Sequence, residues 1–190
     1  MILSVKIKLT PSELQAKMLL DTIRIANSAC NRISEIAWDS KVFGQFNLHK
    51  HSYYNIKSEY SLTSQVIVRC ISKVADAYKL DRKTKRSFRE LGAITYDSRI
   101  LSYKLDRRQV SIWTVEGRQK IDFVCHNTEY LQYIKGESDL CFIKGKFYLL
   151  QTIDIPSEKE DSVDDFIGVD LGITDICCLS SGEKFSSKTL

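Results

Sequence analysis

The feature that most constrains the fold is a strand at the start of the chain with no partner near it in sequence. Residues 3–9 alternate, with Val5, Ile7 and Leu9 on one face and Lys6 and Lys8 on the other, which is the pattern of a half-buried strand with a basic outer side. The next stretch is helical. Thr10-Pro11-Ser12-Glu13 supplies a capping residue, a proline and an early acid. Leu14, Met18, Ile25, Ala29, Ile33 and Ile36 then recur at helical spacing and predict a long helix to about Trp38. A shorter helix is predicted over 49–60, and a third from near Leu62 with Ile67, Ile71, Val74 and Tyr78 as its apolar stripe. From Ile94 the apolar period becomes two. Strands are predicted over 100–105, 110–115, 118–123, 129–134, 139–143 and 146–155, with a tight hairpin turn at Lys144-Gly145-Lys146. The first strand should therefore join this later group. The resulting fold class is α+β: a small, wedge- or OB-like β-barrel from residues 1–10 and 94–156, with residues 11–93 as a helical insertion.

Charge is divided unevenly along this frame. The 190 residues carry a net +4, but residues 1–150 hold 25 of the 28 Lys/Arg against 15 of the 24 Asp/Glu, a net +10. Residues 151–190 hold 3 against 9, a net −6. A basic block suits a polyanion, and an acidic tail suits a metal ion or a self-shielding linker. Cations are densest where helix gives way to strand, at Lys79, Arg82, Lys83, Lys85, Arg86 and Arg89, with Tyr78, Phe88, Tyr96, Tyr103 and Trp113 interleaved through the wider region. Lysine and arginine neutralise phosphates, and aromatic rings stack on unpaired bases. One or two of these rings are expected in that role and the others in the core. A plain solvated basic face is the alternative. Six cysteines without CxxC spacing, with three scattered histidines, point to neither a zinc site nor a disulfide framework. No run approaches the roughly 20 apolar residues that cross a bilayer, and the N-terminus lacks a signal peptide's apolar core. The expected location is the cytoplasm, with no membrane partner.

Residues 157–165 read as a polar, acidic linker. Beyond it, the apolar run Phe166–Val169 delivers Asp170, with Gly172 two residues on and residues 166–190 forming one unit. A buried strand ending in a carboxylate holds that group rigidly, and a glycine nearby lets a phosphate or metal approach the backbone. Three readings fit. Folds of the RNase H type use such a strand to hold one ligand of a two-metal Mg²⁺ site. An aspartate can also simply open a β-hairpin turn. Actin-like ATPases begin with a phosphate-binding hairpin of similar pattern, here Asp170-Leu171-Gly172-Ile173-Thr174, but near their N-terminus rather than after a long basic region.

Four stretches in order carry a resemblance. They are the basic strand leading into Thr10-Pro11-Ser12-Glu13-Leu14-Gln15; Leu62-Thr63-Ser64-Gln65-Val66 opening a helix that ends Ala77-Tyr78-Lys79; Ile94-Thr95-Tyr96-Asp97 with Tyr103-Lys104-Leu105; and Gly145-Lys146-Phe147-Tyr148-Leu149 leading through Ile155-Pro156 to Ile167-Gly168-Val169-Asp170-Leu171-Gly172-Ile173. In this order the chain resembles the N-terminal half of TnpB (OrfB-type) proteins of insertion sequences, labelled transposases and related to compact type V CRISPR nucleases. The resemblance implies a wedge-like barrel with a helical recognition insertion, then the first strands of an RNase H-like (RuvC) nuclease. It implies guide RNA and target DNA as partners, Asp170 as the first catalytic, Mg²⁺-binding aspartate, and Ser64 and Gln65 as candidate contacts to target-adjacent DNA. A capping serine at a helix start is the alternative for Ser64. The family's later carboxylates and its zinc ribbon are absent from these residues, so the 190 residues alone are expected to bind rather than cut. Another chain or a further stretch would complete the nuclease. The alternative is a non-catalytic nucleic-acid-binding relative.

Overall fold

A computed structural model of the chain describes residues 1–156, 166–172 and 175–186. The expected linker over 157–165, and Ile173 and Thr174 of the Asp170 motif, lie outside the described residues. The chain forms two compact units, Met1–Ile155 and Pro156–Leu190.

In the first unit, β1 (Ile2–Leu9) leads into α1 (Glu13–Ser40). Ser12 is the cap: its hydroxyl accepts the Gln15 N–H at 3.3 Å, and the Gln15 side-chain oxygen accepts the Ser12 N–H at 3.1 Å. This reciprocal pair satisfies two backbone donors that the first turn leaves open. The buried face of α1 keeps Ala29 and Ile33 of the expected stripe and is otherwise turned from it. Leu19, Ile23, Ala26, Cys30, Ile33 and Ala37 are buried, whereas Leu14 is 64% exposed and Ile25 and Ile36 are half-buried. Two apolar stripes run along this helix, and the packing of α2, α3 and the sheet against it decides between them.

Helix α2 (Gln45–Glu59) begins four residues before its expected start, and α3 (Ser64–Leu80) buries Ile67, Ile71, Val74 and Tyr78 as its periodicity predicts. The strands β2 (Ile94–Tyr96), β3 (Leu101–Lys104), β4 (Gln109–Thr114), β5 (Gly117–Val124), β6 (Ile134–Ile143) and β7 (Lys146–Asp154) then join β1 in one antiparallel sheet. Its order is β2-β6-β7-β1-β5-β4-β3. The first strand thus sits between two late strands, and all three helices are inserted between β1 and β2, strands of one sheet that β6 and β7 separate. The two end strands curl towards each other. Tyr103 on β3 lies 3.1 Å from the Ser138 hydroxyl on β6, and the Tyr96 hydroxyl on β2 donates to the Trp113 carbonyl on β4 at 2.9 Å. The architecture is therefore α+β, with a nearly closed seven-stranded barrel.

Two strand expectations require correction. Of the strand expected over 129–134, residues 129–133 instead belong to a 3-10 helix, Thr128–Tyr133, that packs Leu131 into the core, because an apolar alternation this short does not separate a strand from a tight turn. Strand β2 was not expected, and β6 is longer than predicted because it continues through a bulge between Ile134 and Ser138, where Gly136 adopts φ +79°. The hairpin at Lys144-Gly145 does form: both residues are left-handed, at φ +47° and +75°, the geometry whose twist matches the flanking strands.

The second unit is a small antiparallel sheet of β8 (Val169–Asp170), β9 (Asp175–Leu179) and β10 (Lys184–Ser186), in the order β10-β9-β8. The expected buried strand over Phe166–Val169 is instead exposed, with Phe166 at 83% and Ile167 at 68%. Three short strands have no second layer among the described residues of this unit to cover them. No helix among the described residues is long and apolar enough to cross a membrane.

Candidate nucleic-acid interface

The chain between α3 and β2, residues 81–93, has no helix or strand and carries most of the predicted basic residues. Its shape is imposed by one polar stripe of α1. Ser34 donates to the Arg86 carbonyl at 2.6 Å. Asn31 accepts the Phe88 N–H at 2.7 Å and donates to the Phe88 carbonyl at 3.0 Å. Asn27, fully buried, donates to the carbonyls of Glu90 at 3.2 Å and Gly92 at 2.7 Å. Gly92 fits closely there, because a Cβ would sit 3.1 Å from the Arg89 carbonyl. Tyr78 completes the clamp from α3. Its buried hydroxyl lies 2.9 Å from the Ser34 hydroxyl and accepts the Arg86 N–H at 3.2 Å. An irregular segment must satisfy its backbone somewhere, and here buried amides and hydroxyls do so. Asn27, Asn31 and Ser34 were not singled out in the sequence. Their signal is three polar residues spaced 27, 31, 34 on an otherwise apolar face.

The predicted cations divide into three groups. Arg86 is structural: it is half-buried, and its guanidinium reaches the Asp81 carbonyl at 3.1 Å and carboxylate at 3.1 Å. The Asp81 carboxyl is held below its usual range, chiefly by the Lys83 backbone N–H and also by the Thr84 hydroxyl, so it anchors the start of the segment. Lys79 pairs with Asp76 at 2.7 Å and Lys85 with Glu35 at 3.7 Å, both across exposed surface. Arg82, Lys83 and Arg89 are exposed and make no ion pair among the described residues. Of the interleaved rings, Tyr78 and Tyr96 are core, at 0% and 1% exposure, which removes them as stacking platforms. Phe88, Tyr103 and Trp113 are half-buried against that core.

Ser64 and Gln65 lie elsewhere. They begin α3, whose 17 residues place them roughly 25 Å from the basic end. Thr63 is the N-cap, so Ser64 is an exposed first-turn residue. The Gln65 amide donates to Asp97 at 2.5 Å, beside the Arg99 guanidinium at 3.0 Å. Burial alone would raise the Asp97 carboxyl, but hydrogen bonds from the Arg99 side chain and N–H, then from Gln65, outweigh it and hold the group below its ordinary value. A carboxyl lowered by folding adds stability that is complete above its unfolded value near 3.8 and is lost as pH falls through the folded one. Urea denaturation should show stability falling below about pH 4, and Asp97→Asn should make that fall shallower.

Asp170 closes β8, exposed and paired across the sheet with Cys178. The adjoining Gly168 N–H donates to the Ser180 hydroxyl at 2.9 Å, which holds the strand start against β9. Among the described residues no three His, Cys, Asp or Glu side chains gather into a metal site. Asp170 alone therefore does not fit a two-metal Mg²⁺ centre. No known protein-family profile matches the chain, and no curated protein matches it.

Proposed function

We propose that the chain binds nucleic acid through the segment from Arg82 to Arg89, as the N-terminal part of a TnpB-like, RNA-guided DNA endonuclease of the cytoplasm. The observation that carries the binding is the pairing of free cations with a clamped backbone. Arg82, Lys83 and Arg89 are exposed without an ion pair among the described residues, on a segment held by Asn27, Asn31, Ser34 and Tyr78. Cations on an ordered backbone lose less freedom when they meet phosphates. Lys79 and Lys85 can join them, because exposed ion pairs are worth about 1 kcal/mol or less and yield to a phosphate. Arg86 stays with Asp81 and shapes the segment.

The motif order supports the rest of the reading: a wedge-like barrel, guide RNA and target DNA as partners, and Asp170 opening a RuvC-like sheet. Asp170 would supply one carboxylate to Mg²⁺, and the remaining ligands would come from a further stretch of the protein or from another chain. A non-catalytic binder is the second reading, because the resemblance matches only one nuclease carboxylate, Asp170, to these residues. Affinity of the chain for a structured RNA should fall steeply between about 50 and 200 mM salt. A flat profile would overturn the electrostatic reading. Where the remaining carboxylates are present, Asp170→Ala should abolish Mg²⁺-dependent cutting of a matched DNA, and unchanged cutting removes Asp170 from that role.

A further inference from the structure

The barrel has an edge that the sheet leaves open. Strand β1 pairs with β7 from Ile2 to Lys8, but with β5 only at Lys8 and Leu9. Met1 and Ile155 exchange both backbone hydrogen bonds, at 2.5 and 3.0 Å. Antiparallel bonding alternates along a strand, so the backbone groups of Ile2, Ser4 and Lys6 point to the other edge, where β5 has already ended. The chain after Val124 passes this edge and leaves a cavity of about 500 Å³. Lys6, Lys8, His126, Asn127, Tyr130 and Tyr148 supply its polar and aromatic lining, and no carboxylate lines it. The Lys6 ammonium sits 4.2 Å from the centre of the Tyr148 ring. Neither Lys6 nor Lys8 makes an ion pair among the described residues. The acid at the far end of β7, Asp154, is engaged by Lys135 at 2.6 Å and the N-terminal amine at 3.7 Å.

We propose that this cavity is a second nucleic-acid site, which takes one unpaired nucleotide of a single strand. The proposal rests on the nucleic-acid-binding reading above but shares no residue with its segment. Lys6 and Lys8, with the open amides of Ser4 and Lys6, meet the phosphate. Tyr148 and Tyr130 offer ring faces to the base, and His126 and Asn127 offer hydrogen-bonding groups to its edge. Two unpaired cations, two rings and an acid-free lining fit a nucleotide better than an added peptide strand, which would need the backbone edge alone.

The test uses the 190-residue chain with fluorescent oligo(rU) and oligo(dT), and a 4-thiouridine oligomer for cross-linking. The cross-link should fall on Tyr130, Tyr148 or His126. Kd for the oligomers should rise about tenfold in Tyr148→Leu and in the double variant Lys6→Gln/Lys8→Gln. Both lysines are exposed, so the double variant should keep the wild-type urea midpoint and remain informative if Tyr148→Leu folds poorly. Loss with either oligomer supports the site, and the one more affected identifies the strand. Unchanged affinity in the lysine double variant, with wild-type binding intact, overturns the pocket and leaves the segment reading standing. Failure of the wild-type chain to bind any nucleic acid overturns both. Displacement of the oligomer by an equally charged poly-glutamate at equal concentration assigns the cavity to acidic peptide and overturns the nucleotide.

Discussion

Tyr78→Ala should destabilise the first unit by about 3–5 kcal/mol and release the basic segment as it does so. The residue is wholly buried, its ring centre lies 4.6 Å from that of Phe43, and its hydroxyl joins α1 to the segment through Ser34 and Arg86. Truncation removes the ring and leaves both polar partners short of a bond. Tyr78→Phe isolates the second effect. It keeps the ring and should cost about 1–3 kcal/mol, the range for leaving buried polar groups unsatisfied. Urea midpoints measure both losses, and amide exchange at Arg86 and Phe88 reports the segment. If Tyr78→Phe left the protection of Arg86 unchanged, the hydroxyl would not be what holds the segment in place.

Replacing Arg82, Lys83 and Arg89 together by glutamine should weaken binding of a single-stranded RNA about a hundredfold near 0.1 M salt. Each phosphate contact contributes roughly 0.7 to the slope of log affinity against log salt for single strands, so the slope should fall by about 2. All three side chains are exposed, and the urea midpoint should stay within about 0.5 kcal/mol of wild type. A control clarifies the assignment: Arg86→Gln should instead lower stability, because Arg86 is bound to Asp81. An unchanged salt slope in the triple variant would place the phosphate contacts elsewhere on the chain.

The alternation of Val5, Ile7 and Leu9 fixes which face of β1 is buried, and the lack of a local partner sends that strand to the later sheet. Both are visible in the residues because a strand has a period of two and an unpaired strand is costly. The cap at Ser12, the stripe of α3 and the turn at Lys144-Gly145 are equally local. Their bonds close within a few residues. The face of α1 is different. Two stripes are apolar enough, and only the packing of α2, α3 and the sheet chooses Leu19, Ile23 and Ala26 over Leu14 and Ile25.

The same division runs through the candidate sites. The cluster of cations after α3 is plain in the sequence, as is the aspartate that ends an apolar run. The sequence does not say that Arg86 is taken by Asp81, that Gln65 is taken by Asp97, or that Tyr96 lies in the core. Those outcomes depend on contacts between residues far apart in the chain, such as Ser34 with Arg86 and Tyr96 with Trp113. Local periodicity and turn chemistry determined the first strand, the three helices and the Lys144-Gly145 turn, because those signals are short-range. Only the tertiary structure decided which charges and rings remain free to meet a ligand, because that depends on which side chains the distant parts of the chain have already engaged.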